Sequence, residues 1–268
     1  MDSVFRDRSS RATFIKHAAA VGAGLALFKG FDFASGTGLK AEAASDSVGT
    51  IISTALIAEQ LATTFYYTGL TSKAVMSSNQ LAGSSGDVNN IAAAPNGNRG
   101  NVHYLQAGLD AEIKHAAALA KAGAMSSFSK FYFPASTFEK LGSPSDAASF
   151  LGVLDALETA FVGAYLAAIN EFVTLGHPDL AELAGEIMGV EAEHRALGRV
   201  IANVNPANNL TLEKTPFKAV SEAGTALAPF LTGKGFAGGA TPAIALPSSA
   251  QTTPIIGTYG TRVVTMFL

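Results

Sequence analysis

The sequence predicts an all-α fold, a four-helix bundle with long connections and an extended C-terminal tail. Past residue 45, four alanine-rich segments carry amphipathic patterns, and packing their apolar faces together gives a bundle. Hydrophobic residues make up 48% of the 268 residues, enough to fill a sizeable core. No period of 20–50 residues recurs, which excludes a solenoid of stacked repeats.

The chain divides into three predicted parts. Residues 1–43 are predicted to be an export signal, 46–204 the bundle, and 205–268 a short helix followed by a Gly/Pro-rich apolar tail. We expect the protein to be exported, to the periplasm or the outside of a bacterial cell.

The export signal is predicted from a basic start and a short apolar run. Arg and Lys side chains precede the run at 18–28, whose 11 residues are fewer than the ~20 of a membrane-spanning helix, so no transmembrane span is expected. Ala41-Glu42-Ala43 fits a signal-peptidase site. Residues 10–16 resemble a twin-arginine signal except at Ala12, where the second arginine is expected. An ordinary Sec signal and an uncleaved anchor remain the alternatives.

Turn-forming residues separate the four predicted helices. Asn79–Gly100 is rich in Asn and Gly, residues 126–144 hold an aromatic cluster, and residues 176–179 form a tight break. Ser145 is predicted to cap the third helix. In chain order the predicted helices span 46–78, 101–125, 145–175 and 180–203.

Two of the five histidines follow a glutamate by three residues, at Glu112/His115 and Glu191/His194. Random placement of glutamates and histidines predicts only about 0.2 such pairs in the chain. Each pair lies near the middle of a predicted helix, where residues one turn apart can reach the same ion. The spacing therefore favours a metal site.

The other two helices each carry one glutamate among apolar residues, Glu59 and Glu158. Four carboxylates in a bundle core are costly unless compensated, and two divalent cations would balance their charge. Glutamate and histidine together suit iron, manganese or zinc better than calcium or magnesium. The alternative is that Glu59 and Glu158 are ordinary surface residues, which requires a different helix phase.

Other titratable residues are interpreted as structural or solvated. His103 and His177 are expected to be structural histidines, and Asp155 is a plausible supporting partner one turn before Glu158. Three glutamates lie among polar neighbours and are expected to face solvent: Glu182, Glu186 and Glu193.

From about residue 46 to 204 the sequence resembles the ferritin-like domain family. The order Glu, Glu-x-x-His, Glu, Glu-x-x-His is similar to that of bacterioferritins and rubrerythrins. The segment 131–134, Phe-Tyr-Phe-Pro, followed by a helix with Glu158 and Tyr165, resembles the exported bacterial branch related to plant desiccation-related proteins. The resemblance implies a ferritin-like four-helix bundle that binds two divalent ions, iron or manganese.

The resemblance also implies a role for each candidate ligand. By analogy Glu59 and Glu158 are terminal ligands, Glu112 and Glu191 bridge the ions, and His115 and His194 cap one ion each. Tyr66, seven residues after Glu59, matches a tyrosine that lines such sites, and it is a candidate catalytic residue that donates a hydrogen bond or an electron.

The sequence departs from several relatives. Haem is not predicted, because Ile113 stands where haem-binding bacterioferritins have methionine. Phe161 stands where rubrerythrins have a further glutamate, and a chain without cysteine has no iron–thiolate electron donor. Extra length at both ends argues against a 24-subunit storage cage.

Composition excludes other classes of function. The absence of cysteine excludes disulfides, thiolate zinc sites and a cysteine nucleophile. The formal net charge of −3 leaves no basic excess, so we expect no nucleic-acid partner.

The tail has its own pattern. Residues 216–231 predict a fifth helix, and the 37 residues after it include six glycines, three prolines and only two charges. Residues 253–268 are β-branched and apolar, which predicts a strand. We expect the tail to wrap its own bundle or to pair with a neighbouring subunit and form a homo-oligomer. A floppy C-terminus is the alternative.

Two classes of function fit the sequence. In the first, two metal ions react with O2 or peroxide in a ferroxidase, oxidase or catalase-like enzyme. In the second, the bundle is a non-catalytic structural protein of the stress or desiccation type, which assembles through its C-terminal tail.

Overall fold

The computed structural model describes residues 46–93, 97–213 and 215–257. The predicted export signal at 1–43 lies outside the described residues. In the described part the chain is mostly helical, so the all-α prediction is confirmed. The helices are α1 (Val48–Thr71), α2 (Lys73–Met76), α3 (Arg99–Lys121), α4 (Phe150–Thr174), α5 (Pro178–Ile201), α6 (Val220–Ala226), α7 (Ala228–Thr232) and α8 (Ser249–Ile256).

The four long helices, α1, α3, α4 and α5, form the bundle. The most extensive packing is between α4 and α5 and between α1 and α3. The connection after α2 contains 3₁₀ turns at Gly83–Ser85 and Val88–Ala93. The two long connections, residues 72–98 and 122–149, and the short one, residues 175–177, join the helices in the predicted order.

Side-chain caps set where three of the bundle helices begin. The side chains of Ser47, Asn98 and Ser149 accept hydrogen bonds from the first turns of α1, α3 and α4. The prediction that Ser145 caps the third helix is wrong. Residues 143–149 first form a turn that closes against Gly152, where an added Cβ would lie 1.9 Å from the Asp146 carbonyl oxygen.

A small sheet joins the second long connection to the tail. Strands β1 (Lys130–Phe131) and β2 (Ile244–Ala245) pair antiparallel, with Lys130 opposite Ala245 and Phe131 opposite Ile244. Phe133, in the same connection, packs edge-on against Phe230 of α7 with ring centroids 6.0 Å apart. The connection is therefore covered by the C-terminal segment.

The described part of the tail lies against its own bundle. The predicted fifth helix is divided at Leu227 into α6 and α7. The strand predicted from residue 253 is wrong for its described part, because α8 begins with a capping box of Ser248 and Gln251. The Gln106 side chain of α3 donates a 2.8 Å hydrogen bond to the Ile255 carbonyl. Residues 258–268 lie outside the described part.

Apolar clusters pack towards both ends of the bundle. One contains Phe65 and Phe150, whose rings stack at 4.6 Å, and the other contains Leu56 and Phe172. On α3 and α5 the predicted ligands fall between the residues that supply one cluster and those that supply the other. Water is therefore kept away from the middle level of the bundle.

Two of the bundle helices, α1 and α4, are long and apolar enough to cross a membrane by length and composition alone. The mean hydropathy of their most apolar stretches is 1.2 and 1.5. Within those stretches, 56% and 78% of the residues are buried inside the protein. Packing in the bundle accounts for this apolar composition.

Candidate metal centre

All six predicted ligands converge at the middle of the bundle. Their candidate ligand atoms form two groups, and within each group all of these atoms lie within 4.8 Å of one another. The two groups are Glu59, Glu112, His115 and Glu191, and Glu112, Glu158, Glu191 and His194. Glu112 and Glu191 belong to both groups, which is the arrangement of two carboxylates shared between two ions.

Helix geometry explains this convergence. The i, i+3 spacing places Glu112 and His115 on one inward face of α3, and Glu191 and His194 on one inward face of α5. Helices α1 and α4 each add one glutamate at the same level. Each of the six residues is at most 7% exposed to solvent.

The imidazole of His115 faces carboxylates from three helices. Its Nδ1 lies 3.1 Å from Glu191 Oε1, 3.3 Å from Glu59 Oε2 and 3.6 Å from Glu112 Oε2. A single nitrogen can make one good hydrogen bond, not three. Oxygens that converge in this way suit a cation placed among them.

His194 repeats the arrangement on the other side. Its Nδ1 lies 3.0 Å from Glu112 Oε1, 3.2 Å from Glu191 Oε2 and 3.8 Å from Glu158 Oε1. The two imidazole rings are 6.4 Å apart between centroids. Each histidine thus contacts the shared glutamates Glu112 and Glu191. Each also contacts one glutamate that belongs to a single group, called unshared from here on, which is Glu59 for His115 and Glu158 for His194.

Several of these buried atoms make close polar contacts but no hydrogen bond of good geometry among the described residues. They are Glu59 Oε2, both carboxylate oxygens of Glu112, Glu158 Oε2, Glu191 Oε1 and His115 Nδ1. Leaving such groups buried and unpaired costs free energy, and coordination to metal ions would satisfy them. An oxygen-rich set with two imidazole nitrogens fits first-row transition metals.

The unshared and shared glutamates differ in proton affinity. Burial, reinforced by the charge of Glu191, raises the pKa of Glu59 and Glu158 well above their usual value. Burial acts in the same direction on Glu112 and Glu191. Close polar contacts outweigh burial there and lower the pKa of both carboxyls. Glu112 has these contacts with Glu59 and both histidines, and Glu191 has them with the histidines.

The histidines also retain protons. Burial acts to lower the pKa of His115 and His194, but close contacts with Glu112 and Glu191 outweigh it and raise both pKa values well above the usual one. With Glu59 and Glu158 neutral, Glu112 and Glu191 ionised and both imidazoles charged, protons balance the charge of the metal-free centre.

Two tyrosines hold the unshared glutamates in place. Tyr66 Oη of α1 donates a 2.7 Å hydrogen bond to Glu158 Oε1 of α4, and Tyr165 Oη of α4 donates to Glu59 Oε1 of α1. Burial and the nearby carboxylates raise the pKa of both hydroxyls, so both remain donors. The hydrogen bond of Tyr165 was missed in the sequence. The same Glu-x6-Tyr spacing in both helices is the signal that would have found it.

Gly108 of α3 leaves room for the Tyr66 ring. A Cβ added at Gly108 would lie 2.9 Å from a ring carbon of Tyr66. The ring also packs edge-on against His194 with centroids 5.8 Å apart. The absence of a side chain at Gly108 thus helps to set where the Tyr66 hydroxyl lies.

A segment after α5 is tied back to the bundle beside the centre. Arg195, directly after His194, makes a bidentate ion pair with Glu213. Arg199 donates to Asp155 at 2.8 Å and to Asn209 at 3.1 Å. Asp155, expected to support the ligands, therefore fixes α5 and this segment against α4.

The other titratable residues considered in the sequence lie outside the two ligand groups. Glu182, Glu186 and Glu193 are exposed on α5. His177 is exposed at the start of α5, directly before Pro178. His103 is half-buried on α3.

Comparison with known proteins gives one family match. The family model described as ferritin-like domain matches residues 47–203, which is more than half of the chain. Comparisons with curated proteins and with solved structures give no match.

Proposed function

The chain belongs to the ferritin-like domain family, and from this premise we propose that it binds two iron or manganese ions in the central Glu/His cluster. With these ions it would handle O2 or peroxide, as a ferroxidase, an oxidase or a catalase-like enzyme. Each ion would be held by one histidine, one unshared glutamate and the shared pair Glu112 and Glu191.

The sharing of Glu112 and Glu191 between the two ligand groups carries this proposal. One ion would leave the unshared glutamate of the other group without a partner, whereas two ions would satisfy both groups. Two divalent ions also balance the four carboxylates once the histidines are neutral. The donor set thus supports two ions over one.

Two bound redox-active ions would supply two electrons, one from each ion, to O2 or to peroxide. The residues of the chain prepare the site for this chemistry. Burial between the two apolar clusters excludes bulk water. Tyr66 and Tyr165 fix the orientation of Glu158 and Glu59, as hydrogen-bonding neighbours of metal ligands do elsewhere.

Metal titration of the purified full chain tests the proposal. Metal-free protein is titrated with Fe²⁺ under anaerobic conditions and with Mn²⁺, and bound metal is measured by elemental analysis. Consumption of O2 or peroxide is then followed. We expect about two equivalents of metal per chain.

Two substitutions on α5 provide a matched pair for this experiment. Glu191→Gln removes a shared carboxylate, whereas Glu193→Gln changes an exposed glutamate two residues away. We expect Glu191→Gln to lose metal and turnover and Glu193→Gln to keep both. Equal metal content in the two variants would contradict the proposal.

The alternative function is a non-catalytic structural or stress protein. The tail supports it, since β2, α7 and α8 strengthen the bundle without contributing a candidate ligand. Two equivalents of metal without turnover would favour a structural role for the ions. A metal-free protein with an undiminished melting temperature would favour a scaffold that needs no metal.

We propose further that the protein is exported and that it acts in the periplasm or outside the cell. The basic start, the apolar run and the Ala41-Glu42-Ala43 pattern support export. Fractionation of cells that express the full chain, with N-terminal sequencing of the product, tests this. Retention of the intact chain in the cytoplasm would contradict it.

A further inference from the structure

A small apolar cavity lies beside the centre, between α1 and α4 and beneath α6. Its volume is about 20 Å³. Alanines make up much of its wall, including Ala55 on α1, Ala164 and Ala168 on α4, and Ala223 on α6. Their methyl groups are too small to fill the space between the three helices.

Several residues of the cavity wall are neighbours of the unshared glutamates on α1 and α4. Ala58, in the wall, directly precedes Glu59, and Phe161, also in the wall, lies one turn after Glu158. The Tyr165 ring lines the cavity, and its hydroxyl donates to Glu59. The Tyr165 side chain therefore connects the cavity wall to Glu59 of the ligand set.

A second cavity of about 10 Å³ is also lined by Tyr165. It shares Ala55, Ala168 and Ile51 with the first and extends towards Leu119 of α3 and Leu183 of α5. The two cavities thus border one another at the level of Tyr165.

The lining decides what these cavities can hold. Carbon atoms form nearly all of it, and the Tyr165 hydroxyl is already bonded to Glu59. A volume of about 10–15 Å³ is enough for a water molecule, but a buried water also needs two to four polar partners. A small apolar molecule fits this lining better than water or another polar molecule does.

The segment after the bundle supplies the outer wall. Glu171 of α4 accepts hydrogen bonds from the Val220 amide at 2.9 Å and from the Asp46 amide at 2.8 Å. The Asp46 carboxylate in turn accepts from the Ser221 amide at 2.7 Å. The start of α6 is therefore fixed over the cavity, whose outer wall includes Val220 and Leu227.

We propose that this cavity binds O2 and delivers it to the Glu59 side of the metal centre. The inference rests on the proposed function, which makes O2 a reactant. Because the path is apolar, it admits O2 and disfavours peroxide, which must shed its hydrogen bonds to enter. The α6 cover thereby gives the C-terminal segment a role in selecting the oxidant.

Xenon binding to the metal-free protein tests whether the cavity accepts a small apolar guest. Xenon is an apolar atom that enters dry protein cavities. Metal-free full chain is titrated with dissolved xenon by NMR, and crystals under xenon pressure locate the bound atom. We expect a xenon atom against Tyr165 and Ala164. An empty cavity in the wild-type protein would overturn the inference.

Filling the cavity tests delivery of O2. Ala164→Leu places a larger side chain in the space, and Ala164→Val is a milder change in case the first does not fold. Ala107→Leu, at a half-buried position of α3 outside both linings in the described chain, is the control. We expect both Ala164 variants to lose xenon, and the KM for O2 to rise about fivefold or more.

Peroxide turnover and metal stoichiometry should stay unchanged in the same variants. Equal slowing of the O2 and peroxide reactions, or an unchanged KM for O2, would overturn the inference. Failure of the O2 path is distinguishable from failure of the proposed function. Two bound metals without xenon in the cavity would contradict only the O2 path. Xenon without metal binding would contradict the proposed function and with it delivery of O2 to a metal centre.

Discussion

Tyr66 and Tyr165 hold the centre from opposite sides, since each lies seven residues after the unshared glutamate of its own helix and donates to that of the other. Both hydroxyls are buried. This exchange of hydrogen bonds joins α1 to α4 at the level of the candidate ligands. It also gives the two halves of the centre matching surroundings.

Removing either hydroxyl is expected to weaken metal binding. Tyr66→Phe and Tyr165→Phe each leave a glutamate without its donor, so we expect the affinity for one ion to fall by roughly 10–100-fold. Tyr67→Phe, at a half-buried position beside Tyr66, is the control. Calorimetric metal titration measures the effect. A Tyr165→Phe variant that binds metal like Tyr67→Phe would refute the role assigned to Tyr165.

Adding a methyl group at Gly108 is expected to displace the Tyr66 ring. Alanine is the better helix former, by about 1 kcal/mol, but at Gly108 the new Cβ meets the ring at 2.9 Å. We expect Gly108→Ala to lower the free energy of unfolding by about 1–3 kcal/mol. Urea unfolding measures it.

Gly189→Ala is the matched control for this prediction. Gly189 is exposed within α5, and in the described chain a Cβ there meets no atom within 4 Å. We expect it to raise the free energy of unfolding by roughly 0.5–1 kcal/mol. The same gain from Gly108→Ala would show that Gly108 does not constrain the ring.

Metal binding is expected to release protons. The pKa values of Glu59, Glu158 and both histidines are raised in the metal-free centre, and metal ions need these groups deprotonated. We expect about four protons to leave per pair of ions, so metal affinity falls as pH falls. Calorimetry in buffers of different ionisation enthalpy counts them. A binding enthalpy independent of buffer would contradict this.

The same raised pKa values predict how stability changes with pH. The folded metal-free protein binds more protons than the unfolded chain at these groups, so its stability should fall as pH rises above neutrality. Metal-loaded protein, with the groups already deprotonated, should lack this loss. Thermal unfolding at pH 7 and pH 9, with and without metal, measures this loss. The same change in melting temperature with pH in both forms would argue against the raised pKa values.

Truncation after Gly233 tests the tail. It removes β2 and α8, exposes Phe131 and leaves the buried Gln106 amide without its acceptor. We expect a loss of about 2–4 kcal/mol in the free energy of unfolding. If the tail also joins subunits, as expected from its sequence, the mass from light scattering should fall to that of one chain. An unchanged mass would rule out assembly through the tail.

The four helices and the six converging residues could be predicted because both depend on local spacing. Period-3.6 patterns and the Glu-x-x-His pairs fix which side chains face inward, and burial places them at one level. Ser149 could not be told from Ser145, since the choice depends on a turn that closes against Gly152.

The tail could not be predicted in the same way. Strands β1 and β2 are two residues long and more than a hundred residues apart, so no local pattern reveals their pairing. In α8 the Ser248–Gln251 capping box outweighs the strand preference of Thr253, Ile255 and Ile256. Long-range pairing thus decided the strands, and a local cap that the apolar pattern does not reveal decided α8.

The most direct test of the central claim is anomalous diffraction at the iron and manganese edges from metal-loaded crystals of the full chain. The account predicts two peaks about 3.5–4 Å apart, both in contact with Glu112 and Glu191. One should also contact Glu59 and His115, and the other Glu158 and His194. A structure without anomalous density among these six side chains, or with metal only at the surface, would contradict it.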